Sequence, residues 1–218
     1  MAARKKKAET VTDGLEVVRA VVGVMSENPS STFWPKRLQR KPKPLKAGQA
    51  ERLLPAGFRL PPSLQTWFTL ASEIEGLDFG VEESWRLATL QEHAAERFGE
   101  MAGYLVSVAK PKFEAPCLVL REEAGNKLEV LYSSAPDSTG ELPILQAYLE
   151  NPAYSHIALW HPGFDVFLAS QLKPELAARF GVPGGGERVD VDDARWGARM
   201  REHMKRLGMS KSMVKLGK

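Results

Sequence analysis

The apolar residues of this chain change their period part-way along it, and that change limits the folds open to it. Leu64, Trp67, Phe68, Ala71 and Ile74 recur three and four apart, the spacing of one helix face. Pro62 and Ser63 suit a helix's first turn, and Gly76 suits its end. A second helix is expected over about 82–98, with Trp85, Leu87, Ala88, Leu90, Ala94 and Ala95 on its buried side. Beyond residue 100 the apolar residues gather into short runs instead. Segments 102–109, 116–120, 128–132 and 156–160 read as strands, and Ala124-Gly125-Asn126 between the second and third suits a hairpin. Segment 143–149 fits a strand or a helix. His161-Pro162-Gly163 then turns the chain into a helix over 164–172, with an extension over 174–180. Helices first, then a run of strands and a closing helix predict an α+β domain, a mostly antiparallel sheet with helices packed around it.

Basic segments flank that domain. Residues 1–50 hold 11 Lys+Arg against 4 Asp+Glu, residues 51–180 hold 10 against 18, and residues 181–218 hold 9 against 5. The formal net charge of +3 therefore hides an acidic middle between two basic ends. The first extension, 1–48, contains one helix over 10–27, where Leu15, Val18, Val22 and Met25 form a stripe that calls for a partner surface. Prolines 35, 42 and 44 among repeated cations make 35–48 an extended linker. Residues 49–180 form the domain. Residues 181–218 begin with Pro183-Gly184-Gly185-Gly186, read as a flexible joint, and continue into a helix capped by Asp192 or Asp193 that carries Trp196, Met200, Met204 and Leu207. Gly208 ends that helix, and the last ten residues read as a loose basic tail.

Composition narrows the function classes. The apolar share of 43% supports a real core, and no apolar run approaches a bilayer-spanning length. Arg4-Lys5-Lys6-Lys7 is not followed by an unbroken apolar block and a small-residue cleavage site, so a cytoplasmic protein without membrane association is expected. The single cysteine, Cys117, rules out an intrachain disulfide and fits a reducing compartment.

The order of several short signals resembles the SUKH superfamily, which includes a yeast cell-wall-synthesis regulator and many bacterial toxin-immunity proteins. Leu60-Pro61 through Trp67-Phe68 and Gly76 look like its opening helix, with Glu75 where an asparagine is usual. Leu87-Ala88-Thr89-Leu90-Gln91-Glu92 looks like the segment that follows. Residues 118–131 look like the central hairpin, Gly140-Glu141-Leu142-Pro143-Ile144 like the next strand, and 164–172 like the closing helix. The resemblance covers roughly residues 50–175. It implies an α+β domain that binds other proteins, and in bacterial members one that neutralises a secreted toxin by direct contact.

Catalytic and metal chemistry find little footing. His156 and His161, with Asp165 four residues on, make a metal set by type. A spacing of five, however, puts strand side chains on opposite faces. Cys117 lies in the apolar string Pro116-Cys117-Leu118-Val119-Leu120, where a cysteine is a small core residue rather than a nucleophile. Gly184-Gly185-Gly186 is followed by Glu187, not by the Gly-Lys-Ser/Thr of a phosphate loop. No catalytic residue, metal or cofactor is therefore expected.

The acids offer more. Glu73, Glu75, Asp78, Glu82 and Glu83 cluster in sequence, with Trp85 at their edge and with Asp137 and Glu141 in a later loop. These eight are the expected partner-binding residues, an acidic surface suited to a basic toxin domain, since such patches steer association and set specificity. Trp85 also fits as a core residue against Trp67. The alternative reading is a nucleic-acid-associated accessory protein that uses its basic ends, with Trp34 and Trp196 for stacking, although no established nucleic-acid-binding motif accompanies them.

Overall fold

The computed structural model describes residues 14–27, 58–70, 73–74, 85–86, 115, 117–123, 127–148 and 156–215. The elements in chain order are α1 (Gly14–Glu27), α2 (Pro62–Leu70), β1 (Glu73–Ile74), β2 (Trp85–Arg86), β3 (Cys117–Glu123), β4 (Lys127–Tyr132), β5 (Ile144–Tyr148), β6 (His156–His161), α3 (Phe164–Ser170), α4 (Pro174–Ala177), a 3-10 turn (Ala178–Phe180), α5 (Gly197–Arg206) and β7 (Met213–Lys215). Strands β3 to β7 form one antiparallel sheet in sequence order. The protein is an α+β fold.

Helix α1 buries Val17, Val18, Val21 and Val22, and it packs on α2 and α3. The partner surface its stripe called for is thus the domain itself. On α2, Leu64, Trp67 and Phe68 face the same core, and Trp67 meets Phe164 of α3 edge-on at 5.8 Å between ring centroids. Such an aromatic pair stabilises by about 0.5–1.5 kcal/mol beyond its area burial.

Two helix expectations are corrected. Helix α2 ends at Leu70, and Glu73 and Ile74 pair antiparallel with Arg86 and Trp85. The apolar spacing that placed Ile74 on a helix face holds for too few residues to distinguish helix from strand, and a cross-strand partner decides it. Trp85 and Arg86 are accordingly strand residues, not the opening of a helix over 82–98. The rest of that helix, the strand at 102–109 and the linker at 35–48 lie outside the described residues.

The boundary at residue 180 is corrected as well. Val182, Val189, Trp196, Met200, Leu207 and Met209 are buried in the same core as Val17 and Phe164. Pro183-Gly184-Gly185-Gly186 is packed rather than free. The Gly185 amide donates to the Leu172 carbonyl (3.1 Å) and the Gly186 amide to that of Ser170 (2.8 Å). A Cβ at Gly184 would lie 2.5 Å from the Pro174 backbone, so glycine is required there for close approach. Two backbone amides, of Arg195 and Trp196, donate to Asp193 Oδ1 just before α5 begins. Gly208, at φ 63°, ends α5 as expected: its amide reaches the Lys205 carbonyl, and that of Met209 reaches Met204. The expected loose tail instead returns to the sheet, where β7 pairs with β6.

Candidate functional site

A buried concentration of charge lies where five segments meet: the β4–β5 loop, the β6–α3 turn, the start of α1, the start of α2 and one face of α5. The loop is organised by Asp137. Its Oδ1 accepts from the amides of Thr139 (2.9 Å) and Glu141 (3.0 Å) and from the Thr139 hydroxyl (2.6 Å). Backbone bonds Asp137 N–H to Glu141 O (2.9 Å) and Gly140 N–H to Asp137 O (3.0 Å) close the turn. Gly140 has φ 86°, and Ala135 adopts φ 57°, a left-handed conformation that is strained for a residue with a side chain.

Arg199, on the inner face of α5, joins this loop to α3. Its Nε donates to Asp137 Oδ2 at 2.6 Å, its Nη1 to Asp165 Oδ2 at 2.7 Å, and its Nη2 to the Pro162 carbonyl at 3.0 Å. Both aspartate side chains are fully buried. Burial opposes the guanidinium charge, but Asp165 and Asp137 outweigh it and hold that charge more firmly than usual. Burial likewise opposes the Asp137 carboxylate, yet the bond from His203 and the charge of Arg199 hold it well below the usual carboxylate range. His203, one turn further along α5, is completely buried between the Ala135 and Pro162 carbonyls.

Glu141 completes the cluster from the far end of the loop. Its carboxyl accepts from the Ser63 amide (2.7 Å) and hydroxyl (2.5 Å) at the first turn of α2. Burial, reinforced by the charge of Asp165, pushes it up to about 8. Two glycines make room for the group. A Cβ at Gly163 would lie 2.5 Å from both Arg199 Nη2 and Asp165 Oδ1, and one at Gly14 would lie 2.5 Å from Asp165 Oδ2.

Two pH effects of opposite sign follow. Asp137 is depressed, so its stabilisation is present above the ordinary carboxylate value and is lost as pH falls below it. Glu141 is raised from 4.5 to about 8, so the fold keeps a proton that the unfolded chain releases, and stability declines as pH rises through that window. The urea midpoint is therefore expected to be higher near about pH 5 than near about pH 8. Glu141→Gln, which imitates the neutral acid, is expected to flatten that difference. An unchanged slope in the variant would assign it to other groups.

Of the expected partner-binding residues, Asp137 and Glu141 come together here, but as interior groups rather than as a recognition surface. Both are nearly inaccessible, and both are engaged with the protein's own donors. Polar residues in a loop read as exposed, and only their partners far along the chain reverse that. Glu73 and Trp85 lie on the paired β1 and β2, one register step apart. Glu75, Asp78, Glu82 and Glu83 lie outside the described residues.

Sequence reasoning missed Ser63, Arg199 and His203, and it weighed Asp165 only as a metal ligand. Some signal was present. Asp165 is a lone acid in the apolar string Phe164-Asp165-Val166-Phe167-Leu168, and Arg199 and His203 fall three and seven residues after Trp196, on the apolar seam of α5. His156 and His161 stand at opposite ends of β6. No group that could hold a metal ion occurs among the described residues. Burial pushes the Cys117 thiol up to about 12, so it is not a thiolate at neutral pH. No helix among the described residues is long and apolar enough to cross a membrane.

No protein-family model matches the chain, and no curated protein matches it. The crystal structure of an uncharacterized protein from Salmonella enterica subsp. enterica serovar typhimurium str. 14028s is similar over 88% of this chain and 89% of that one, at 16% sequence identity and a TM-score of 0.44.

Proposed function

We propose that this chain is a non-catalytic protein-binding domain of the SUKH type, acting as a bacterial immunity protein that neutralises a secreted toxin by direct contact in the cytoplasm. The observation that carries the reading is the use made of the charged cluster. Asp137, Asp165, Arg199 and Glu141 pair with one another or with the protein's own amides and hydroxyls, so they act as structural closures rather than as groups presented to a substrate. The ordered signals support the same reading: Trp67-Phe68 and Phe164–Ser170 lie on α2 and α3 of one core, and Leu60-Pro61 and Gly140-Glu141 lie in the segments that lead into α2 and β5.

Recognition is then assigned to Glu73, Glu75, Asp78, Glu82, Glu83 and Trp85, without Asp137 and Glu141. A basic toxin domain, such as a nuclease, is the partner this charge suits. The test is protection. Cells expressing this chain are expected to survive a toxin encoded beside its gene, and the purified pair to form a stoichiometric complex. Reversing Glu82 and Glu83 to lysine is expected to slow association about tenfold or more at low salt while leaving the melting temperature in place. Survival no better than in cells lacking the chain, together with no complex, would refute the proposal.

The nucleic-acid reading is the second choice for a specific reason. Trp196, which it would use for stacking, is buried with its Nε1 donating to the Phe180 carbonyl (3.0 Å), and Arg199 is held by two aspartates. A salt-dependent gel shift that disappears on deletion of residues 1–48 would restore it.

A further inference from the structure

Buried polar contacts from α2 and α5 converge on one short exposed turn. Asp137 Oδ1 accepts from the amides of Thr139 and Glu141, and its Oδ2 accepts from Arg199. The Ala135 carbonyl meets His203 Nδ1 at 2.9 Å, and Glu141 accepts from Ser63. Between these anchors Pro136, Ser138, Thr139 and Gly140 are exposed. Ala135, at φ 57°, and Gly140, at φ 86°, take left-handed conformations at the two ends of the turn.

Stability does not account for this arrangement. A buried ion pair contributes little net stability compared with apolar residues of the same volume. Helix α5 is already attached through Trp196, Met200 and Leu207, all buried. The charges add a fixed position for the turn, because hydrogen bonds to Asp137 have direction and apolar contacts have none. A left-handed residue with a side chain persists only where its surroundings over-determine it, and such strain gathers at sites that must keep one shape. A turn held rigid before contact loses little conformational entropy when a partner binds.

We infer that the turn 136–140 is a preorganised recognition surface for the same protein partner, a second contact in addition to the acidic residues. The inference rests on the protein-binding reading above. The turn offers hydroxyls and main-chain groups rather than charge. Glu202 of α5 flanks it, accepting from the Ser138 hydroxyl at 2.9 Å and pairing with Arg206 at 2.7 Å. Such a surface fits a partner by shape and hydrogen bonding. It therefore slows dissociation, whereas the acidic residues speed association.

Binding kinetics with the toxin encoded beside the gene separate the two surfaces. Ser138→Arg adds bulk at the turn and leaves the bonds to Asp137 in place. It is expected to raise the dissociation rate about tenfold or more, at low and high salt alike, with the melting temperature unchanged. In nitrogen relaxation measurements on the free protein, the amides of Ser138, Thr139 and Gly140 are expected to be as rigid as that of Val130 in β4. An unchanged dissociation rate in Ser138→Arg, while reversal of Glu82 and Glu83 still slows association, would overturn the inference and leave the protein-binding reading standing. A turn more mobile than the sheet would overturn it as well. Absence of any complex would remove both.

Discussion

Replacing Arg199 by methionine is expected to destabilise the fold by about 3–5 kcal/mol, the usual cost of removing one partner from a buried ion pair. The effect is large because two carboxylates lose their cation together. Asp137 and Asp165 are fully buried, so neither gains water when the guanidinium goes. Methionine fills much of the volume of the arginine stem, which confines the loss to charge and hydrogen bonding. Adding Asp137→Asn and Asp165→Asn is expected to recover part of the loss, since the residual penalty of the single variant is the uncompensated negative charge. Urea unfolding checks both steps through the midpoint at constant slope. A loss under about 0.5 kcal/mol for the single variant, the level of a surface substitution, would mean that the cluster is solvated.

A chain ended at residue 180 is expected not to fold at all. The deletion removes Val182, Val189, Trp196, Met200, Leu207 and Met209, all buried. At about 1.5–3 kcal/mol for each such side chain, the loss rivals the roughly 5–15 kcal/mol by which a domain of this size is stable. It also removes Arg199 and His203 and strips β7 from the edge of β6. Circular dichroism and thermal unfolding decide the matter. A cooperative transition in the shortened chain would show that residues 181–215 are an appendage after all.

Local patterns in the chain account for only part of this architecture. The hairpin β3–β4, the strand His156–His161, helix α3 and the glycine stop at Gly208 were legible, because each rests on a local pattern: alternation, a turn tripeptide, a proline–glycine break, a left-handed cap. The packing of Gly184-Gly185-Gly186 was not legible. Three glycines suit a loose joint and a tight approach equally, and only the Pro174 backbone beside them distinguishes the two. The same limit applies to the site. Asp137 and Glu141 read as functional acids, but Arg199 lies 62 residues from Asp137 and Ser63 lies 78 from Glu141. Partners at that separation make these acids interior groups, and no local spacing carries that information. The basic charge assigned to the C-terminal end was misleading for a related reason, since part of it neutralises buried aspartates.

Helix α5 closes a single fold through a buried charged cluster. Native-state hydrogen exchange reads this closure amide by amide. The amides of Met200 and Leu207 are expected to open only with global unfolding, with the same free energy as Val130 and Leu159 in the sheet. Exchange at α5 through a separate opening several kcal/mol easier than the sheet's would contradict the claim, because the helix would then be a detachable element and its charges would be available to a partner.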